Sequence, residues 1–294
     1  MTNIIFFGSS EYSVIILKKI LEIKDFSVSA VVTKMDKPVG RNQEIIPNPV
    51  ASFAKQHNLN LLQIETFTPE FKLEIRNLKL DLGLCVAFGP PYFDQEMIDL
   101  PKYKIINIHP SPLPKYRGAT PGPWQIINGE TTSAVTFFQI DILPDHGPII
   151  SQIPFNITPT ETATSFYNKA FNLASQNLEI ILKKYIDDLQ PARPAGGSTT
   201  YKLIPQDHTQ KSYFPKFDKD TAKINWDWDL GKIERFVRAL NPWPIAWTYV
   251  TDQKDKQLKM KIFSFNTIPI EVQIEGKQKT LWPEISKYYS INKI

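Results

Sequence analysis

Short apolar runs alternating with amphipathic helical patterns fill the first two thirds of the chain, and this alternation constrains the fold most. Asn3–Phe7 is an apolar run stopped by Gly8, after which Tyr12, Ile15, Ile16 and Ile20 recur on one helical face. Further strand-like runs occur at Val28–Val32, Leu61–Leu62, Leu82–Ala87, Ile105–His109, Ala134–Phe138 and Ile149–Ile153. A proline-rich stretch spans Asp36–Pro49, and helical patterns lie at Val50–His57 and after Pro69. Strands separated by helices predict a parallel α/β sheet. Thr158, Pro159 and Glu161 make a capping-box pattern with proline at the first helical position. They predict a long helix with Phe166, Ala170, Leu173, Ala174, Ile181, Leu182 and Tyr185 on its apolar stripe, ending near Asp187.

The pattern then changes. The stretch LQPARPAGGSTTYKLIPQD, with its prolines and paired glycines, suits an extended connector. Beyond it one helix carries Leu230, Ile233, Val237 and Leu240 on a face, followed by β-type segments at Ala246–Val250, Leu258–Phe263 and Ile270–Ile274. This predicts a small β-rich domain, such as a barrel. The expected organisation is therefore a domain over 1–187, a linker over 188–206 and a second domain over 207–294. A chain of 294 residues agrees with two domains at roughly 150 residues each.

Composition excludes several classes. With 42% hydrophobic and 22% charged residues, the chain is neither collagen-like nor disordered. A single cysteine, Cys85, allows no internal disulfide and no multi-cysteine zinc site, and four histidines argue against a His-rich metal centre. No apolar run approaches the roughly 18 to 20 residues that span a bilayer, and the start MTNIIFFGSS lacks the basic and apolar regions of a signal peptide. A soluble protein of a reducing, cytoplasmic compartment is expected. Residues 1–200 carry a net charge of −1 and residues 201–294 of +5. A basic C-terminal third favours a polyanion such as RNA, although a lysine-rich solvated surface gives the same count.

The segment FFGSSEYS has one glycine where a dinucleotide fingerprint needs three, so NAD or FAD binding is not expected. The informative stretch is Ile105–Trp124. Alternation along its strand puts Asn107 and His109 on one face, at the C-terminal strand end where open α/β sheets place their sites. An amide donor beside an imidazole suits a developing oxyanion, and the imidazole can also move a proton. Asp141 and Asp145, between two predicted strands, offer a carboxylate to orient His109, though loop aspartates are also ordinary turn formers. No G-x-S-x-G elbow exists, and Cys85 lies in an apolar strand as a core residue would. The pattern suggests acyl transfer to a nucleophile that the substrate supplies.

The block Asn107-Ile-His109-Pro-Ser-Pro-Leu-Pro114-Lys-Tyr-Arg-Gly118 closely resembles the N-x-H…S-L-L-P-x-x-R-G signature of formyltransferases that use 10-formyltetrahydrofolate. Val31–Val50 is similar to the T-x-P-D-x-P-x-G-R…P-x-P-V insertion of the methionyl-tRNA formyltransferase family. Asp141–Gly147 resembles its D-x-x-x-D-x-G loop, and Arg238–Trp247 its R-A-x-N-P-W-P-x-x-W. The motifs run in order from Ile4 to about Tyr249. Pro112 replaces the first leucine of S-L-L-P, and His146 stands where the family usually has threonine.

The resemblance implies a Rossmann-like formyltransferase domain with a C-terminal OB-like barrel, here shortened. It also implies formyl transfer from 10-formyltetrahydrofolate to methionine on initiator tRNA, without metal or NAD, by a monomer away from membranes. Asn107, His109 and Asp145 would be the catalytic trio. Phe88, Gly89, Ser111, Pro112, Leu113, Pro114 and Asp141 would contact folate. Lys37 and Arg41, with Lys232 and Arg235 of the C-terminal helix, would contact tRNA, although the helix cations equally suit a solvated face. A sugar-nucleotide N-formyltransferase, a formyl-folate hydrolase and a non-catalytic RNA-binding module are the alternatives.

Overall fold

A computed structural model describes residues 1–39, 44–189 and 203–292. Gly40, Arg41 and residues 190–202 of the expected linker lie outside the described residues. Chain packing defines two units. The first comprises Met1–Arg117, Ala134–Pro154 and Lys169–Ser212, and the second Gly118–Ser133, Phe155–Asn168 and Tyr213–Ile294.

The N-terminal run forms strand β1 (Thr2–Gly8), followed by helix α1 (Glu11–Glu22) and strand β2 (Phe26–Lys34). A hairpin within the proline-rich stretch, β3 (Lys37–Val39) and β4 (Glu44–Ile46), precedes α2 (Pro49–Gln56), β5 (Leu61–Ile64), α3 (Pro69–Arg76) and β6 (Leu82–Val86). Then come α4 (Gln95–Asp99), β7 (Ile105–His109), α5 (Pro121–Ile127), β8 (Thr132–Gln139), β9 (Ile149–Asn156) and α6 (Ala163–Leu189). Helix starts follow local chemistry. Ser10 and Ser13 cap α1 reciprocally, while Asn48 and Thr68 cap α2 and α3 ahead of prolines at the first turn.

Seven strands make one sheet in the order β5-β2-β1-β6-β7-β8-β9. Pairings from β5 through β7 are parallel, as the alternation predicts. Between β7 and β8 the pairing is antiparallel, so the sheet is mixed. Both strands are largely buried, and an apolar run that is buried on both faces does not encode direction. The long helix also starts later than its capping pattern suggested. Glu161 does bond back to Thr158, but Thr162 and Ser165 form the reciprocal cap that admits α6 at Ala163. An aromatic cluster of Phe7, Phe67, Phe71, Phe88 and Phe93 fills the core under the strand ends.

The second unit contains α7 (Leu230–Ala239), β10 (Trp247–Asp252), β11 (Gln257–Asn266), β12 (Ile268–Ile274), β13 (Lys279–Leu281), α8 (Trp282–Ile285) and β14 (Tyr289–Ile291). Its strands form an antiparallel sheet in the order β13-β12-β11-β10-β14. The sequence marked β10, β11 and β12. The three-residue strands β13 and β14 are too short to show a period. Ile233, Phe236 and Val237 of α7 pack into one core with Trp247, Met260, Ile262 and Val272. Asp229 caps α7 by accepting from the Lys232 amide at 2.8 Å.

Candidate active site

The site is built on the end of β7. Asn107 stands between Cys85 of β6 and Phe138 of β8, and His109 opposite Thr136 of β8. The two share a face, with Asn107 partly exposed and His109 only 5% exposed. His109 Nε2 lies 3.0 Å from the Tyr116 carbonyl oxygen, to which it can only donate. Nδ1 then faces Asp145 Oδ1 at 3.7 Å. That separation is too long for a hydrogen bond but close enough for a carboxylate to stabilise a proton on Nδ1.

Asp145 is held there by its loop. Its φ of 51° lies in the left-handed region, which aspartate tolerates better than most residues. Two residues on, a Cβ at Gly147 would stand 1.9 Å from the Gln139 carbonyl oxygen. Only glycine lets this loop close against β8. Asp141 turns away from His109: its Oδ2 lies 2.6 Å from His146 Nδ1, and its Oδ1 caps the Leu143 amide. Ile142 and Leu143, at the tip between the two aspartates, are exposed.

The loop after β7 is fixed from within. Ser111 is fully buried, and its hydroxyl donates to the Lys115 carbonyl at 2.8 Å. Thr136 donates to the Ser111 carbonyl, and Gln152 donates to the Leu113 carbonyl at 2.7 Å. Leu113 is buried, while Pro112 and Pro114 are partly exposed. Ser111 therefore shapes the loop, and the prolines form its accessible edge. Phe88 is buried in the aromatic cluster, whereas Gly89 is exposed with a φ of +70° and open space around its Cα. That bend offers backbone rather than side chains.

Three polar residues surround these groups, and two of them, Gln206 and His208, escaped sequence reasoning. Arg117 is 6% exposed, and its Nη2 donates to Gln206 Oε1 at 2.6 Å and to His208 Nδ1 at 2.9 Å. Gln206 Nε2 in turn donates to the Asp145 carbonyl at 3.1 Å and the Gly147 carbonyl at 2.7 Å. A buried amide thus clamps the loop that carries Asp145. His208 stacks on His146 with ring centres 4.1 Å apart. Desolvation, then the His146 ring and the Arg117 guanidinium, hold His208 below the ordinary imidazole value. Arg117 was legible as part of the R-G pair, but Gln206 sat in a stretch that read as connector.

Other charges near the strand ends are perturbed. Burial pushes the Cys85 thiol up to about 12, with the Asp145 carboxylate adding to it. Burial brings the Lys34 ammonium down to about 8, although it lies 3.9 Å over the Phe88 ring. Lys37 is exposed on β3. In the second unit, Lys232 lies 4.3 Å over the Trp228 ring, while Arg235 Nε donates to the Ile127 carbonyl at 3.1 Å. Among the described residues no group of three or more His, Cys, Asp or Glu is arranged to hold a metal ion, and no helix is long and apolar enough to cross a membrane.

An amide and an imidazole on the end of β7, with a carboxylate from the β8–β9 loop facing the imidazole, suit acyl transfer to an acceptor that is itself the nucleophile. The comparisons make this specific. The formyl transferase family model matches residues 2–181, and the formyl transferase C-terminal domain model matches residues 216–284. A methionyl-tRNA formyltransferase of Acetivibrio thermocellus is 37% identical over 86% of this chain and 78% of its own length. One from Geobacter sulfurreducens is 33% identical over 95% of this chain and 84% of its own. The chain belongs to the formyl transferase family, with methionyl-tRNA formyltransferases among its curated relatives.

Solved structures share the fold. The methionyl-tRNA formyltransferase from Clostridium thermocellum superposes with a TM-score of 0.56 at 14% identity, covering 99% of both chains. The sugar 3N-formyl transferase WlaRD, solved with dTDP and 5-N-formyl-THF, gives 0.62 at 20% identity over 95% of this chain and 99% of its own.

Proposed function

We propose that the chain moves the formyl group of 10-formyltetrahydrofolate to the α-amine of methionine on initiator tRNA, acting as a cytoplasmic monomer. The observation that carries this reading is His109 with one ring nitrogen held by a carbonyl and the other facing Asp145, beside Asn107. The acceptor amine attacks the formyl carbon, forming a C–N bond and an oxyanion. The Asn107 amide donates to that oxyanion, while His109, with Nε2 held by the Tyr116 carbonyl and Nδ1 turned to Asp145, is the group that carries the amine proton. Collapse breaks the bond to N10, and the proton released by the amine passes to N10. Asp145 stabilises His109 whenever Nδ1 carries that proton. Orientation of both reactants contributes about 7–11 kcal/mol to such steps.

The exposed Gly89 bend and the Pro112–Pro114 edge are the proposed folate contacts, with Phe88, Ser111 and Leu113 buried beside them and Asp141 offered from the β8–β9 loop. Lys37, Arg41 and Lys232 are the proposed RNA contacts. The bond from Arg235 to a carbonyl favours a bracing role for that residue. The test is incubation with 10-formyltetrahydrofolate and charged initiator tRNA, with an amino-sugar nucleotide as the competing acceptor. Formyl-methionine on tRNA supports the reading. A formylated sugar, or free formate without any acceptor, overturns it.

A further inference from the structure

We propose that a cavity in the second unit captures one unstacked nucleotide of the RNA acceptor, an inference that rests on the RNA reading above. The cavity measures about 410 Å³, within the range of about 300–1,000 Å³ that small-molecule pockets span. Its walls are aromatic. Trp124 is held rigidly, with its indole N–H donating to the Pro215 carbonyl at 2.8 Å and its ring stacked 4.4 Å from that of Phe217. Trp228 packs its ring against the Phe236 ring at 5.1 Å and 70°. Trp124 also packs 5.1 Å from the Phe214 ring and so forms a rigid wall, while the partly exposed Trp228 is the flat ring on which a nucleobase stacks.

The charge of the lining fixes the class of ligand. Lys216, Lys223 and Lys232 line the cavity against a single carboxylate, Asp220. Among the described residues no carboxylate pairs with any of the three lysines, whereas lysines elsewhere are paired, as Lys72 is with Asp94 and Glu96 and Lys183 with Asp25 and Glu179. The Lys232 ammonium instead rests on the Trp228 ring. An aromatic surface with a net charge of +2 suits a base with its phosphate attached. A second cavity in the same unit, of about 450 Å³, lacks this property. Its Arg238 is tied to Glu234 and to the Glu161 carbonyl, and its Arg235 to the Ile127 carbonyl.

The test measures direct binding by the full-length protein, separately from formylation. The probes are charged initiator tRNA, a single-stranded oligoribonucleotide and a duplex RNA of equal length. Trp228→Ala should weaken tRNA and single-strand binding by about 5- to 150-fold, the range for loss of one base–aromatic stack. Trp228→Phe should restore most of it. Lys232→Gln, at a partly exposed position, cannot threaten the fold and should reduce the salt slope of log Kd by about one. The proposal is overturned if Lys232→Gln leaves the slope unchanged, if Trp228→Phe binds as poorly as Trp228→Ala, or if duplex binds as tightly as single strand. Failure to formylate tRNA with the pocket effects intact would instead count against the proposed acceptor alone.

Discussion

Gln206→Leu tests whether the buried amide clamp matters to catalysis. The substitution keeps bulk but removes three hydrogen bonds: two donated to the carbonyls of Asp145 and Gly147, and one accepted from Arg117. Leaving a buried polar group unpaired costs about 1–3 kcal/mol, and more where it is charged. Arg117 keeps its bond to His208, so its loss is partial. A destabilisation of about 3 kcal/mol follows. The catalytic effect is separate. Released from the clamp, the Asp145 loop relaxes, and a misplacement of about 1 Å costs on the order of 100-fold in rate. Single-turnover formylation should therefore fall by that factor, with the KM for folate within about twofold of wild type. Gln206→Glu discriminates further. It keeps an acceptor for Arg117 but sets a carboxylate oxygen against the two carbonyls with no donor between them, so the rate should stay as low as in Gln206→Leu although the Arg117 bond is retained. Normal single-turnover rates in Gln206→Leu, or losses confined to KM, would refute the clamp.

Three further outcomes follow from named groups. Cys85 is buried and its thiol is raised to about 12, so a thiol reagent at pH 8 should modify it only as fast as the protein unfolds; rapid modification of native protein would contradict this. Lys34 titrates near 8 in the fold against an ordinary 10.5, so below pH 8 both states are charged and the burial penalty is complete. Between pH 8 and about 10.5 the unfolded chain binds more protons and stability rises; Lys34→Met should be more stable than wild type in urea at pH 7, with the gap narrowing by pH 10. Gly147→Ala should cost more than about 3 kcal/mol and abolish turnover, because the methyl meets the Gln139 carbonyl oxygen; a thermal melt close to wild type would refute the close approach.

Much of this architecture was legible in the sequence. The β1, β2, β6 and β7 runs are short, apolar and punctuated, so period and length sufficed. The expectation of Asn107 and His109 on one face needed only strand alternation. Direction in the β7–β8 pair was not legible, because burial on both faces looks the same in either direction. The start of α6 was missed because Thr158–Glu161 and Thr162–Ser165 both carry capping chemistry, and packing selects the second. Gln206 left no signal, since its partners are backbone carbonyls about 60 residues away and any amide-bearing residue looks alike in a connector. The pairing of Asp141 with His146, and of Asp145 with His109, likewise depends on how one loop folds over Gly147.

The most direct measurement of the central claim is single-turnover formyl transfer by Asn107→Ala and His109→Ala beside wild type, with folate affinity determined separately. If the Asn107 amide holds the oxyanion and His109 carries the proton, each variant should bind 10-formyltetrahydrofolate as wild type does while the transfer rate falls by about 100- to 1,000-fold. Transfer at the wild-type rate in either variant, or a loss accounted for entirely by weaker folate binding, would contradict it.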